Sequence, residues 1–166
     1  MQQPHWESKD FEREITAWID RLRDDPTVPT AVSLEFSNWT LRKGGGGGYL
    51  VCRRPLADEG IDVEIHVVFS VNHSCPMLMM RSPRTDGYVP TLGDGFIGGL
   101  EYHPHLDQVF YSIHACDTQS WMQPLKDPAP GVPLLSWWGV MCNRALGIKM
   151  DPRLFAMAKE CLERPR

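Results

Sequence analysis

Between Ile61 and Val71 the chain alternates. Ile61, Val63, Ile65, Val67, Phe69 and Val71 are apolar and alternate with Asp62, Glu64, His66, Ser70 and, just beyond the segment, Asn72. A period of two is the spacing of a β-strand, whose successive side chains point to opposite faces. A strand with one apolar and one polar face belongs to an antiparallel sheet covered on one side only. This segment therefore demands strand neighbours and a helical cover.

The neighbours are legible nearby. Ser33–Leu41, with Leu34, Phe36 and Trp39, reads as a strand, as do the short Tyr49–Arg53 and Pro76–Met80, the last after a turn at Asn72–Cys75. The cover comes first in the chain. Phe11, Ile15, Trp18, Ile19 and Leu22 recur at helical spacing over residues 10–23, with Asp10 or Ser8 as cap and Asp24-Asp25-Pro26 as stop. A helix packed on a four-stranded antiparallel meander is the expected first half.

Gly44–Gly48 lies between the first two strands. A pure glycine run reads as a flexible linker, such as an engineered replacement for a longer loop, and is set aside from functional reasoning. No Lys-Ser/Thr follows to make it a phosphate-binding loop. Residues 82–99, rich in Pro and Gly, read as irregular. Leu100–His105 and Gln108–His114 read as extended segments around a tight turn at Leu106–Asp107. The loop Lys126–Pro133 precedes a buried helix from Leu134 to Leu146, which Gly147 stops. Asp151-Pro152 opens a last helix whose apolar face carries Leu154, Phe155, Ala158, Cys161 and Leu162. The fold class is α+β, one domain over residues 1–166.

Composition narrows the function. The 166 residues carry a formal net charge of −4 and no basic cluster beyond pairs, which argues against nucleic-acid binding. The five cysteines are odd in number and form no C-x-x-C pair. The N-terminus lacks a signal-peptide pattern, and the apolar stretch around Leu134–Cys142 is too short to span a bilayer. The expectation is a cytoplasmic protein with free thiols and no membrane insertion.

The chemistry is expected at Val109–Thr118. A strand here delivers His114 and Cys116 to a polar turn, side by side on one face, with Tyr111 and Ile113 on the other. A cysteine beside a potential imidazolium can be a thiolate nucleophile. Cys142 and Cys161 fall on apolar helix faces as inert core residues, while Cys52 and Cys75 at strand ends are left undecided, with the inert reading favoured. A zinc site is an alternative, since His103, His105, His114 and Cys116 would share a face if the turn between the strands were even. Against it, Pro104 interrupts the ladder; the plain reading of His103-Pro104-His105 is a solvated turn. A Cys–His hydrolase would want a third orienting residue and a helix N-terminus under the cysteine.

Tyr111-Ser112-Ile113-His114-Ala115-Cys116-Asp117-Thr118 resembles the active-site segment of the autophagy ubiquitin-conjugating-type enzymes, whose pattern is His-Pro-Cys followed closely by Thr. The aromatic strand, the Cys-x-Thr and the Ser136-Trp137-Trp138-Gly139 segment favour the autophagy-related protein 10 family. The resemblance implies a ubiquitin-conjugating-type fold: N-terminal helix, four-stranded antiparallel meander, Cys loop and C-terminal helices. It implies that Cys116 takes the C-terminal Gly of autophagy-related protein 12 as a thioester from autophagy-related protein 7. Cys116 would then pass it to a lysine of autophagy-related protein 5. It gives His114 and Thr118 supporting roles and calls for no cofactor or metal. Ala115 stands where the family has proline, which loosens the turn without removing the nucleophile. Ile113-His114-Ala115 supplies no Asn for the oxyanion. The exposed face of Ile61–Val71 and the 82–99 region are offered as partner surfaces. A non-catalytic adaptor of the same fold that binds a ubiquitin-like partner is the other reading.

Overall fold

A computed structural model of the chain describes residues 6–55, 62–82, 98–113 and 129–165. The chain is α+β, an antiparallel sheet with helices on one face. Helix α1 (Ser8–Trp18) passes into a π-helical turn over Ile19–Arg23, so the expected amphipathic segment is helical throughout. Its cap is Glu7, not Asp10 or Ser8: the Glu7 and Asp10 side chains each bond the other's backbone N–H.

Ser33–Leu41 is not a strand. Thr30–Phe36 forms helix α2, and the first strand, β1, starts only at Thr40 and runs to Gly44. Leu34, Phe36 and Trp39 mimic alternation, yet the buried residues are Val32, Phe36 and Trp39, at helical spacing, and Leu34 faces solvent. Trp39 wedges edge-on between Trp18 and Trp138, 5.6 and 5.0 Å away.

Among the described residues the sheet has six strands, two more than the expected meander. β2 (Gly47–Pro55), β3 (Asp62–Ser70) and β4 (Cys75–Arg81) follow β1 in antiparallel order. β5 (Gly98–Tyr102) and β6 (Val109–Ile113) form a hairpin that joins the sheet through β6, giving the order β1-β2-β3-β4-β6-β5. Register pairs Glu64 with Arg81, Arg53 with Glu64, and Met80 with Tyr111. The glycine run is built into the sheet: Gly44 pairs with Gly47 around a two-residue turn.

Helices α3 (Val132–Leu146) and α4 (Pro152–Glu163) complete the covered face. Leu134, Leu135, Trp137, Trp138, Met141 and Cys142 are fully buried, as a helix apolar on nearly every side requires. Gly147 ends α3 at φ 64°, and Asp151 caps α4 by accepting the Arg153 N–H. The start of α3 is held from outside. The buried Glu14 carboxylate on α1 accepts the Gly131 N–H at 2.7 Å, and Trp18 Nε1 donates to the Gly131 carbonyl at 3.0 Å. The Glu14 carboxylate, which also faces the Leu134 N–H, thereby meets donors that a helix start leaves open. No helix among the described residues is long and apolar enough to cross a membrane.

β3 departs from the one-sided pattern. Val63, Ile65, Val67 and Phe69 join the helix-side core. Glu64, His66 and Ser70 on the opposite face are buried as well. A second, smaller cluster of Tyr49, Val68, Met77, Met79 and Phe110 lies on that outer face. The β5–β6 turn folds back over it, bringing His105 onto Tyr49 in a parallel stack 5.0 Å apart. The sequence pattern sees only that these positions are polar, not that a distant turn covers them.

Gly44 has a specific reason to lack a side chain: a Cβ there would stand 2.5 Å from the His105 Cβ. Gly45, with nothing within 4 Å, has none. Gly44→Ala is expected to cost about 1–3 kcal/mol by forcing the turn off the sheet. Gly45→Ala should stay within about 0.5 kcal/mol of the wild type. Urea denaturation of the two variants checks this, and equal midpoints would contradict it.

Candidate functional site

His114, Cys116 and Thr118 lie outside the described residues, as does most of the 82–99 region. The structure does describe the strand that leads to them. β6 ends at Ile113, three residues before Cys116. Ile113 is buried in the helix-side core and Tyr111 packs against it, while Phe110 belongs to the outer-face cluster. The sequence-expected facing of Tyr111 and Ile113 is therefore present in β6.

The other four cysteines are described, and all are buried. Burial pushes the Cys52 thiol up to about 12 and the Cys142 thiol up to about 11, and raises that of Cys161. A thiol held protonated is a poor nucleophile. Cys52, Cys142 and Cys161 thus have the inert character that their apolar settings imply.

The outer face carries a polar constellation that alternation alone does not reveal. Glu64 sits at its centre. Its Oε2 accepts from Arg53 Nε and Nη2 at 3.2 and 3.1 Å. Its Oε1 accepts from Arg81 Nε at 2.9 Å and pairs with His66 Nε2 at 2.8 Å. His66 Nδ1 meets His103 Nε2 at 2.9 Å, and His103 Nδ1 accepts the His105 backbone N–H at 3.1 Å.

That last bond fixes the protons of the whole chain. An Nδ1 that accepts carries no hydrogen, so neutral His103 is protonated at Nε2 and donates to His66 Nδ1. His66 then holds its own proton on Nε2 and donates it to Glu64. Both rings are neutral and the carboxylate is ionised. Burial drives the Glu64 carboxyl up, but His66, Arg81 and Arg53 outweigh it and hold it below the usual carboxylate range. Burial pulls His66 down against the pull of Glu64. Burial, and after it the electrostatic influence of the neighbouring His66, His105 and Arg81, lowers His103 to about 3.

Rings pack around this line. His66 and His103 lie 4.7 and 4.8 Å from Phe110, and the Arg81 guanidinium sits over the same ring at 4.9 Å. Arg81 also bonds Gln108 in the β5–β6 turn. A cleft of about 490 Å³, walled by Arg42, Arg53 and Arg81, has Glu64 and His66 in its lining.

Two sequence expectations change here. His103-Pro104-His105 is no solvated turn: His103 is 3% exposed, and its two ring nitrogens are both hydrogen-bonded. Of the expected zinc set, His103 and His105 come together against Tyr49, while His114 and Cys116 lie outside the described residues. Among the described residues no group of three His, Cys, Asp or Glu is arranged to hold a metal. The Glu64 side of β3 is likewise no open partner surface, since Glu64 and His66 are 6% and 2% exposed. The missed signal was the arginine at each cross-strand partner of Glu64, Arg53 and Arg81.

Comparison with known proteins decides the family. Residues 51–149 match the family described as autophagocytosis associated protein, active-site domain. The chain belongs to this family. The match runs from within β2 to just beyond α3 and includes the His114–Thr118 segment. The chain is also 30% identical over 92 residues to the human protein named ubiquitin-like-conjugating enzyme ATG10. That alignment covers 45% of this chain and 42% of the relative, so the chain spans less than half of that protein's length. The family suggested by the residues around Cys116 is the family that both comparisons return.

The proton placement has a pH consequence. His103 titrates at about 3 when folded, against an ordinary 6.5. Its contribution to stability is whole above pH 6.5 and is lost as the pH falls from there toward 3, because only the unfolded ring takes up the proton. The loss approaches about 1.4 kcal/mol per pH unit for one histidine. Ring-nitrogen NMR at pH 5 should show His103 neutral and protonated at Nε2. A His103 signal titrating near 6.5 would contradict the arrangement.

Proposed function

We propose that the chain is a ubiquitin-like protein conjugating enzyme of autophagy, with Cys116 as its acyl carrier. The observation that carries this reading is the active-site family match over residues 51–149, which spans Cys116 and a strand leading to it. The name of the human relative, a ubiquitin-like-conjugating enzyme, supports it. So do the raised thiols of Cys52 and Cys142 and the burial of Cys75, the other cysteines of the matched region, since none of these settings suits a nucleophile. The α+β architecture, with its antiparallel sheet and helices, is compatible with a ubiquitin-conjugating-type fold. We take residues 1–166 as one such domain.

The chemistry is a pair of acyl exchanges. The Cys116 thiolate attacks the thioester carbonyl of a ubiquitin-like protein carried by its activating enzyme. A new C–S bond forms to Cys116, the old one breaks, and the activating enzyme's thiolate leaves. A lysine amine of the acceptor then attacks the Cys116 thioester. The isopeptide C–N bond forms, the C–S bond breaks with Cys116 leaving as thiolate, and the proton lost by the amine passes to that thiolate or to solvent. A thioester is already activated, so the enzyme's task is orientation and stabilisation of the tetrahedral oxyanion. The partners in this reading are autophagy-related protein 12 as cargo, autophagy-related protein 7 as donor and autophagy-related protein 5 as acceptor. His114 and Thr118 support the loop, and the site of action is the cytoplasm.

Incubation with the activating enzyme, ATP and the ubiquitin-like protein tests the reading. The wild type should give an adduct released by thiol. Cys116→Ser should give an adduct that resists thiol and yields to alkali. Cys52→Ser and Cys75→Ser should behave as the wild type. A chain that binds the ubiquitin-like protein without forming an adduct would be the adaptor instead.

A further inference from the structure

We propose that His103 is a positioning residue for acyl transfer, clamping the β5–β6 hairpin to the sheet and so setting how β6 presents the segment that leads to Cys116. The inference rests on Cys116 being the acyl carrier.

The connectivity creates the need for a clamp. β6 pairs with β4, but the chain reaches it only after β5 and an intervening segment. A strand brought in from far along the chain pays loop-closure entropy before its contacts offset it. The described β4–β6 register pairs Met79 with Ser112 and Met80 with Tyr111. The turn adds a second attachment from above. His103 follows β5 at one edge of the sheet, while His66 lies on β3, beyond both β6 and β4 in the strand order. The 2.9 Å bond between them therefore crosses the β4–β6 junction.

The clamp is stiff for three reasons. The His103 backbone N–H bonds the Gln108 carbonyl at 2.9 Å, so ring and turn move together. His103 passes the connection through His66 to Glu64, which Arg53 and Arg81 hold from both neighbouring strands. Arg81 in turn bonds Gln108 and covers Phe110 of β6 itself. A buried, fully bonded line of this kind has one good arrangement, because breaking any link leaves an unsatisfied polar group behind. His103 is too enclosed to touch a protein substrate, so any effect on transfer must pass through β6.

Two full-length variants separate this from a general contribution to stability. His103→Phe keeps ring packing and removes the bond to His66. His103→Gln keeps an N–H at the Nε2 position. Amide hydrogen exchange and thioester formation from the charged activating enzyme are measured on both. In His103→Phe the β6 amides, Phe110 to Ile113, should exchange about tenfold faster, the effect of one lost hydrogen bond, with α3 unchanged. The transfer rate at saturating donor should fall by a similar factor of about ten while KM stays within about twofold. His103→Gln should recover most of both. If His103→Phe does not fold, His66→Gln tests the same link, since it keeps the donor to Glu64 and drops the acceptor for His103. The proposal is overturned by unchanged β6 exchange, by faster exchange with a wild-type transfer rate, or by equal loosening of the whole protein in both variants. A wild type that forms no adduct strikes down the acyl-carrier reading and this role with it. A competent wild type beside an equally competent His103→Phe strikes down this role alone.

Discussion

Everything on the outer face of the sheet depends on one buried carboxylate. Glu64 is 6% exposed and ionised, and an unpaired charge in that position would be costly. Its two oxygens are met by Arg53 from β2, Arg81 from β4 and His66 from its own strand. Two of these partners then have a second task. Arg81 reaches Gln108 and lies over Phe110, and His66 accepts the His103 Nε2–H through its Nδ1. One charge thus ties four consecutive strands of the sheet, β2, β3, β4 and β6, to the turn above them.

A second buried carboxylate plays the matching part on the helix side. Glu14, carried by α1, closes the N-terminus of α3 through Gly131, and Trp18 closes the adjacent carbonyl. Gly131 has φ 93°, and a Cβ there would meet Leu162 at 2.8 Å, so the helix start, α1 and α4 converge on a position only glycine fits. Burial raises the Glu14 carboxyl, whereas the cations around Glu64 lower its own. The two groups show the same residue type pushed in opposite directions by what faces it. Between these joints lies the inner core of Trp18, Trp39 and Trp138, which seats the helices on β2, β3 and β4.

Much of this was readable from residues in order. The first helix, the alternation of β3, the stop at Gly147 and the cap at Asp151 are local signals, and local signals survive folding. The misreading of α2 shows where they fail. Leu34, Phe36 and Trp39 satisfied a strand pattern on short evidence, while Val32, Phe36 and Trp39 satisfied a helical one that the core then chose. The family was legible too, because the motif that carries the resemblance is contiguous. Cys116 and its neighbours announce it without any tertiary information, and the match over residues 51–149 agrees.

The sequence by itself determined most of the periodic elements, the cap at Asp151, the stop at Gly147 and the family, since each is written in residues close together along the chain. Only the tertiary structure decided that Glu64, His66, His103 and His105 form one hydrogen-bonded line. Those residues come from β3 and from a turn that reaches it by folding over two other strands. No spacing rule connects positions 66 and 103. What joins them is the cost of burying a charge, which is met only when the correct distant partners arrive.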